Sequence, residues 1–380
     1  MEHHAVLGEA FPRHARRYGR AAVIGSGSWG TAMAATLAYS GVQTVIWGRD
    51  KAIVDEINRS STNERHLPGV LLPKALLVAA QMSDALAGAE VVLIVVPSLS
   101  VRSVARQVAE HAPPGIPVAI CAKGIEAETG LLMTQVAQEE LGAHVVGCTS
   151  GPTFARETAL GHPTAATVAF PFGSSDRLKP DDSPAVRLAM SLTTQSFRAY
   201  VSDDLVGVEV GGAVKNIIAI ACGMMTGAGF AENTRAALIT RGLDEMKGLA
   251  EALGDRRETV TGLSGIGDLA LTCSSPTSRN MALGQQLGQG VARSDCFGGK
   301  PVVVEGERNA ISVTDLARRL GVAMPICETV RAILHDRADL GTAFATLWAR
   351  PIEAEPRAMD LVFNHPASDR DIATLAERIS

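Results

Sequence analysis

The sequence predicts an α/β fold in which an N-terminal Rossmann-like domain, built on a mostly parallel sheet, is followed by an all-helical C-terminal domain. Three observations predict it. From Ala21 to about Tyr200, short apolar, β-branched runs alternate with helix-sized segments, the pattern of parallel strands buried on both faces. Directly after the first run, the stretch VIGSGSWGTAMA places Gly25, Gly27 and Gly30 in the G-x-G-x-x-G spacing of a dinucleotide-binding turn. After Asp204 strand signals nearly vanish, and apolar residues recur at helical spacing to about Arg350.

At 380 residues the chain exceeds one average domain, and its 46% hydrophobic content is enough for at least one large core. We divide it into an arm (1–20), a dinucleotide-binding domain (21–203), a helical substrate domain (204–350) and a tail (351–380). The arm, MEHHAVLGEAFPRHARRYGR, carries Arg13, Arg16 and Arg17 but lacks the apolar centre of a signal peptide. A net charge of -5 from mixed signs gives no general attraction to phosphate polymers, so nucleic acid is not expected as a partner. The six cysteines form no C-x-x-C pair, which fits a reducing cytoplasm and argues against a metal site. The longest uncharged apolar run, residues 216–231, is shorter than the roughly 18 residues of a membrane span. A soluble, cytoplasmic protein without a membrane span is expected.

In chain order, the expected strands are AAVIG, TVIW, ALLVAA, VVLIVVP, PVAICAK, HVVGC, TAATVA and SFRAYV. The segment PFGSSDRLKPDDSPA, between the last two, reads as an exposed loop. In ENTRAALITRGLDEMKGLAEALG, residues Ile239, Leu243, Met246, Ala250 and Leu253 mark one helical face, with Asn233 as the expected cap and Gly254 as the stop. The tail is charged and weakly patterned, so it reads as a surface helix or as disordered chain.

The glycine turn opens a helix over residues 29–39. Gly25 permits the tight turn, Gly27 lets the backbone approach a pyrophosphate, and Gly30 lets helix and strand pack closely; the helix N-terminus then faces the anion. The group meeting the adenine ribose should follow the second strand, in WGRD. There Arg49 suits a 2′-phosphate, while Asp50 is within reach of a ribose hydroxyl. NADPH is favoured on these residues, and NADH stays open.

Chemistry is expected from the helical half. The stretch LVGVEVGGAVKNIIAIACGMM is apolar apart from Glu209, Lys215 and Asn216. A lysine in a buried helix needs a wet or anionic pocket. Gly211 lies one turn before it on the same face, and close approach of a ligand would explain the glycine pair there. In GLSGIGDLALTCSSPTSRN, Asp268, Thr272, Ser278, Arg279 and Asn280 gather polar groups, and the S-R-N triplet suits a phosphate monoester. Lys123, in AKGIEAETG, directly follows the fifth strand at the carboxyl edge where ligands bind in open parallel sheets.

From Val23 to Leu347 the motifs GSGSWGTA, VVPS, AKGIEAETG, SGPTFARE, GGAVKNIIAIACGM, ENTRAALITRGLDEM, GIGDLALTCSS, SRN and VVEGERN resemble those of bacterial-type NAD(P)-dependent glycerol-3-phosphate dehydrogenases. The resemblance implies reversible NAD(P)H-dependent reduction of dihydroxyacetone phosphate to sn-glycerol 3-phosphate, supplying glycerophospholipid synthesis. It implies cofactor contacts from Ser28, Trp29, Arg49, Ala155, Val303 and Glu305, with Lys123 and Arg279 near both ligands. Around the substrate it puts Gly151, Thr153, Asp268, Ser278, Arg279 and Asn280, with Lys215 transferring the proton and Asn216 and Thr272 orienting the substrate. Desolvation and the charges of Lys123 and Arg279 are then expected to lower the Lys215 pKa. Together with the apolar helical half, the resemblance also implies a homodimer. His66 stands where an aromatic residue is expected. The rival readings are a reductase of a carboxylate substrate, such as a ketopantoate reductase, and a non-catalytic NADP-sensing regulator.

Overall fold

The computed structural model describes residues 15–354 and 361–379; residues 1–14 of the expected arm lie outside them. Each of the eight apolar runs supplies one strand of a single sheet. These are β1 (Arg20–Ile24), β2 (Gln43–Trp47), β3 (Leu77–Ala79), β4 (Val91–Ile94), β5 (Val118–Ile120), β6 (Val146–Ser150), β7 (Thr164–Ala169) and β8 (Phe197–Ser202). Their order is β3-β2-β1-β4-β5-β6-β7-β8. All neighbours are parallel except β6 and β7, which run antiparallel with Cys148 opposite Ala169. A buried apolar run reads alike in either direction, so this reversal leaves no mark in the sequence pattern.

The strands bury both faces. Ala21, Val23, Leu93 and Ala119 point into one apolar layer, and Ala22, Ile24, Val92 and Ile94 into the other, following the two-residue period of a strand. Covering helices are α1 (Ser28–Tyr39), α2 (Lys51–Ser60), α3 (Met82–Leu86), α4 (Val101–His111), α5 (Met133–Leu141), α6 (Ala155–Ala159), α7 (Ser174–Leu178) and α8 (Pro184–Leu192). The segment read as an exposed loop instead holds α7 and the start of α8. There Ser183 accepts a hydrogen bond from the Val186 N–H at 3.3 Å and Pro184 occupies the first turn, where its missing N–H costs nothing. Because the chain runs one way from β1 to β3 and the other way from β4 onward, a crevice opens beyond the carboxyl ends of β1 and β4.

The remaining chain is helical: α9 (Leu205–Gly227), α10 (Glu232–Ala252), α11 (Asp268–Ser274), α12 (Arg279–Gly288), α13 (Glu305–Leu320), α14 (Pro325–His335) and α15 (Leu340–Trp348). It ends in a small hairpin, β9 (Ile352–Glu353) with β10 (Val362–Phe363), and α16 (Asp369–Ile379). The expected cap Asn233 lies inside the first turn of α10, and Ala231 takes the cap position. Gly254, at φ +85°, ends that helix as its left-handed conformation allows. The tail helix α16 lies on α15 and sends Ile379 into the core.

By length and composition α9 could cross a membrane, but 89% of its most apolar window is buried within the fold, and α10 to α14 surround it. Its contact with α12 is backbone on backbone. A Cβ on Gly223 would lie 2.3 Å from the Met281 carbonyl oxygen, and one on Gly284 would lie 2.1 Å from that of Ile220. Glycine is therefore required on both helices, and the N-terminus of α12 is held where Asn280 meets Asn216.

Candidate active site

The glycine turn is built as a cradle. Gly25 has φ +126°, and a Cβ there would lie 2.1 Å from the Val95 carbonyl oxygen, while one on Gly30 would lie 1.9 Å from that of Gly25. Both positions demand glycine by sterics alone. A Cβ on Gly27 would meet nothing within 4 Å, so the space above it is open. No side chain caps α1 and no acidic residue sits in its first turn. The N-terminal N–H groups thus face open space, and a pyrophosphate fits there.

Of the predicted cofactor residues, Ser28 and Trp29 open α1, Arg49 follows β2, Lys123 follows β5 and Ala155 opens α6. Ser28 Oγ donates to the His66 carbonyl at 2.8 Å, which places the backbone of residue 66 against the loop. Trp29, in the first turn of α1, and Ala155, at the start of α6, both pack against the same apolar layer. Arg49, at the end of β2, is exposed and has no hydrogen-bond or ion-pair partner among the described residues. Asp50 does not reach out for a ribose. Its Oδ1 accepts from the Ala52 N–H at 2.9 Å, capping α2, and its Oδ2 pairs with Arg65 at 2.8 Å. Lys123 stands after β5, three strand spacings or roughly 14 Å from β2. An extended dinucleotide lying over the crevice would connect the two.

Lys215 is 7% exposed and donates to Asp268 Oδ1 at 2.7 Å and to Thr272 Oγ1 at 2.9 Å. Lys123 donates to the other oxygen, Asp268 Oδ2, at 2.5 Å. One buried carboxylate therefore bridges two ammonium groups carried by different halves of the chain. This carboxylate is aimed by a π turn, Leu263–Gly267, immediately before it; such turns often occur at functional sites. Burial alone would raise the Asp268 pKa, but the two lysines hold it below the ordinary carboxylate value. Burial pushes Lys215 below its ordinary value, Asp268 opposes the fall, and Lys123 adds to it. Arg279 is not among the groups that shift Lys215, contrary to the expectation from sequence. With two cations on one carboxylate the cluster retains a positive charge, which suits an anionic ligand.

The adjacent glycines of α9, Gly211 and Gly212, lie against protein atoms. A Cβ on Gly211 would lie 2.6 Å from the Ser264 carbonyl oxygen, in the π turn, and one on Gly212 would lie 3.2 Å from Lys123 Cγ. They let the loop carrying Asp268 and the stem of Lys123 close against the helix carrying Lys215. Gly151 has a similar cause, since a Cβ there would lie 2.7 Å from Ala166 Cα on the antiparallel strand. Thr153 N donates to the Gly151 carbonyl at 2.9 Å, and Pro152 lies beside Gly267, the chain neighbour of Asp268.

Next to Lys215, Asn216 and Asn280 lock together, Asn280 Nδ2 donating to Asn216 Oδ1 at 2.9 Å. Asn216 Nδ2 donates to Glu305 Oε2 at 3.2 Å, and Asn280 Oδ1 accepts from the Gly306 N–H at 2.9 Å. These links tie α9, α12 and the start of α13 together. Ser278 caps α12, accepting from the Met281 N–H at 3.3 Å. Arg279 follows it, exposed and without a partner among the described residues. Val303 is 62% exposed.

Three supporting contacts were given no role from the sequence, although Glu209 stood out there as a polar residue in an apolar helix. Asn63 Nδ2 donates to the Ser26 carbonyl at 3.0 Å and to Thr31 Oγ1 at 2.9 Å, holding the glycine loop from outside. Asn309 Nδ2 donates to the Ala213 carbonyl at 3.0 Å, two residues before Lys215. Glu209 accepts from the Thr134 N–H at 2.9 Å and from its hydroxyl, fastening α9 to α5. The available signal was a lone polar residue inside an apolar or turn segment, as at Glu209.

Comparison with known proteins identifies the family. A family model described as NAD-dependent glycerol-3-phosphate dehydrogenase N-terminus matches residues 20–174, and its C-terminal counterpart matches residues 204–345. Glycerol-3-phosphate dehydrogenase [NAD(P)+] of Maricaulis maris is 44% identical over 333 residues, which cover 88% of this chain and 97% of the relative. That of Rhodospirillum rubrum is 43% identical over 334 residues, 88% of this chain and 93% of its own. The crystal structure of glycerol-3-phosphate dehydrogenase from Coxiella burnetii superposes with a TM-score of 0.79 at 37% identity, covering 88% of this chain and 99% of that one. Two matching family models, together with relatives above 40% identity across almost their whole length, establish that the chain belongs to the NAD-dependent glycerol-3-phosphate dehydrogenase family.

Proposed function

We propose that this enzyme reduces dihydroxyacetone phosphate to sn-glycerol 3-phosphate, reversibly and with NADPH in preference to NADH, as a supply of backbone for glycerophospholipids. The observation that carries the reading is Asp268 shared between Lys215 and Lys123, a buried acid–base cluster of net positive charge at the carboxyl edge of the sheet. When bound, a reduced nicotinamide supplies hydride to the ketone carbon. Lys215, as ammonium, donates its proton to the carbonyl oxygen as charge develops there. Asp268 keeps Lys215 cationic before the transfer, and Thr272 holds the ammonium from a second side. Lys123 neutralises Asp268, so the carboxylate does not repel an anionic substrate.

Arg279 and the N-terminal N–H groups of α12 receive the phosphate, with the Ser278 hydroxyl beside them. Asn216 and Asn280, committed to each other and to α13, set the distance between that phosphate seat and Lys215. In the oxidative direction the neutral amine of Lys215 is the base, and its burial favours that form. The same reading places the enzyme in the cytoplasm as a homodimer, which sedimentation analysis of the purified protein would check. The test of function is oxidation of NADPH and NADH, side by side, with dihydroxyacetone phosphate and with dihydroxyacetone. Turnover confined to the phosphorylated ketone is expected. Equal turnover of both ketones would remove the phosphate from the reading.

A further inference from the structure

The turn between α2 and β3 presses on the cofactor loop at two points. Buried Asn63 grips the Ser26 carbonyl and the Thr31 hydroxyl, and the His66 carbonyl receives Ser28 Oγ. Between these anchors lies Arg65, so its backbone is fixed relative to the glycine turn although its side chain is 68% exposed. The guanidinium reaches Asp50 at the end of β2, the residue next to Arg49.

The charges at this corner can be assigned one by one. Lys51 is paired with Asp55 at 2.8 Å on α2, Glu64 accepts from the Gly69 N–H at 3.0 Å, and both oxygens of Asp50 are taken by the α2 cap and by Arg65. Burial and the charge of Arg65 hold the His66 pKa below its ordinary value. Arg49 is left exposed and without a partner among the described residues, and Arg65 is paired to its chain neighbour Asp50.

We propose that Arg65 is a specificity-determining residue for the dinucleotide. It occupies the Asp50 oxygen that would accept a 2′-hydroxyl, and with Arg49 it forms a two-guanidinium seat for a 2′-phosphate. This rests on the dinucleotide site of the proposed function and adds to it a second residue, from a different turn, that sets the choice between the phosphorylated and unphosphorylated cofactor. The two effects of Arg65 act in the same direction. Masking Asp50 removes both an acceptor suited to NADH and a repulsion toward a phosphate, while the guanidinium supplies a donor fork matched to phosphate oxygens.

The test needs no turnover. Adenosine 2′,5′-bisphosphate and adenosine 5′-monophosphate differ only in the 2′-phosphate, and calorimetric titration of each into the purified enzyme reads that group alone. Wild type is expected to bind the bisphosphate at least about tenfold more tightly, and Arg65→Ala or Arg49→Ala to cut that ratio by about tenfold, the worth of one charge-assisted contact. Asp50→Asn, which keeps the α2 cap, is expected to raise the ratio. Arg65→Gln, which retains length without charge, is expected to behave like Arg65→Ala. A ratio in Arg65→Ala within twofold of wild type would overturn the proposal. Monophosphate binding with no gain from the 2′-phosphate in wild type would overturn it while leaving the dinucleotide site intact. Binding of neither nucleotide would overturn both.

Discussion

Asp268 and Lys215 face each other at 2.7 Å in the buried seam between the sheet and the helical half. The carboxylate belongs to the loop–helix unit that opens α11, and the ammonium to the middle of α9. Its second oxygen, at 2.5 Å from Lys123, extends the contact to the loop after β5. A lysine in this environment would be costly alone; paired, it becomes a proton donor whose charge is set by one neighbour.

Replacing Asp268 by Asn should leave two ammonium groups buried close together without their counter-charge. The Lys215 pKa is then expected to fall further. Because reduction needs the ammonium, its high-pH decline should move to lower pH. Because oxidation needs the amine, its low-pH rise should move the same way. Breaking a buried pair also costs about 3–5 kcal/mol of stability. Rate–pH profiles in both directions, with urea denaturation, read these effects together.

In the wild type, oxidation of glycerol 3-phosphate should require higher pH than reduction of dihydroxyacetone phosphate. Lys215 must first lose a proton for the one reaction and keep it for the other. Superimposable profiles in the two directions would remove Lys215 from the proton-transfer role.

Arg279→Ala is expected to raise the KM for the phosphorylated ketone by about 10- to 100-fold, the worth of a hydrogen-bonded charge. Arg279→Lys, which keeps charge but loses the planar fork, should raise it by less. Equal effects of the two variants would argue against a bidentate clamp.

Glu209 should make stability depend on pH. Burial raises its pKa from 4.5 to about 7, against the hydrogen bonds from Thr134. The folded chain therefore holds a proton between those values that the unfolded chain has released. Stability from this group is fully present below pH 4.5 and is lost as pH rises through about 7, by about 3 kcal/mol in all. Glu209→Gln, which cannot ionise, should lose less stability than wild type between pH 5 and pH 8, as measured by urea midpoints.

Gly211→Ala should disturb catalysis from outside the polar cluster. The added Cβ would lie 2.6 Å from the Ser264 carbonyl oxygen and push the π turn that aims Asp268. A loss of about 1–3 kcal/mol in stability is expected for overpacking, with a lower kcat and little change in KM.

Much of this was legible in the residues. The eight apolar runs became eight strands, because a strand buried on both faces has to be apolar throughout. Lys215 announced itself as a cation in an apolar helix. Asp268 was singled out too, but not its pairing with Lys215, since it lies 53 positions further along the chain and only folding brings them together. Glycines were read correctly as close approaches but with the wrong neighbour at Gly211 and Gly212, where protein rather than ligand fills the space. Asp50 was ambiguous for a related reason. A helix cap and a ribose acceptor call for the same residue at the same place, and only the Ala52 and Arg65 contacts separate them.

The most direct test is Lys215→Met, assayed for reduction of dihydroxyacetone phosphate with NADPH, alongside calorimetric binding of NADPH to the same preparation. A fall in kcat by about 10²- to 10⁴-fold, the usual contribution of a positioned acid, is expected with cofactor affinity within about threefold of wild type. A variant that keeps more than about a tenth of the wild-type kcat, with NADPH still bound, would contradict the assignment of Lys215 as the proton donor.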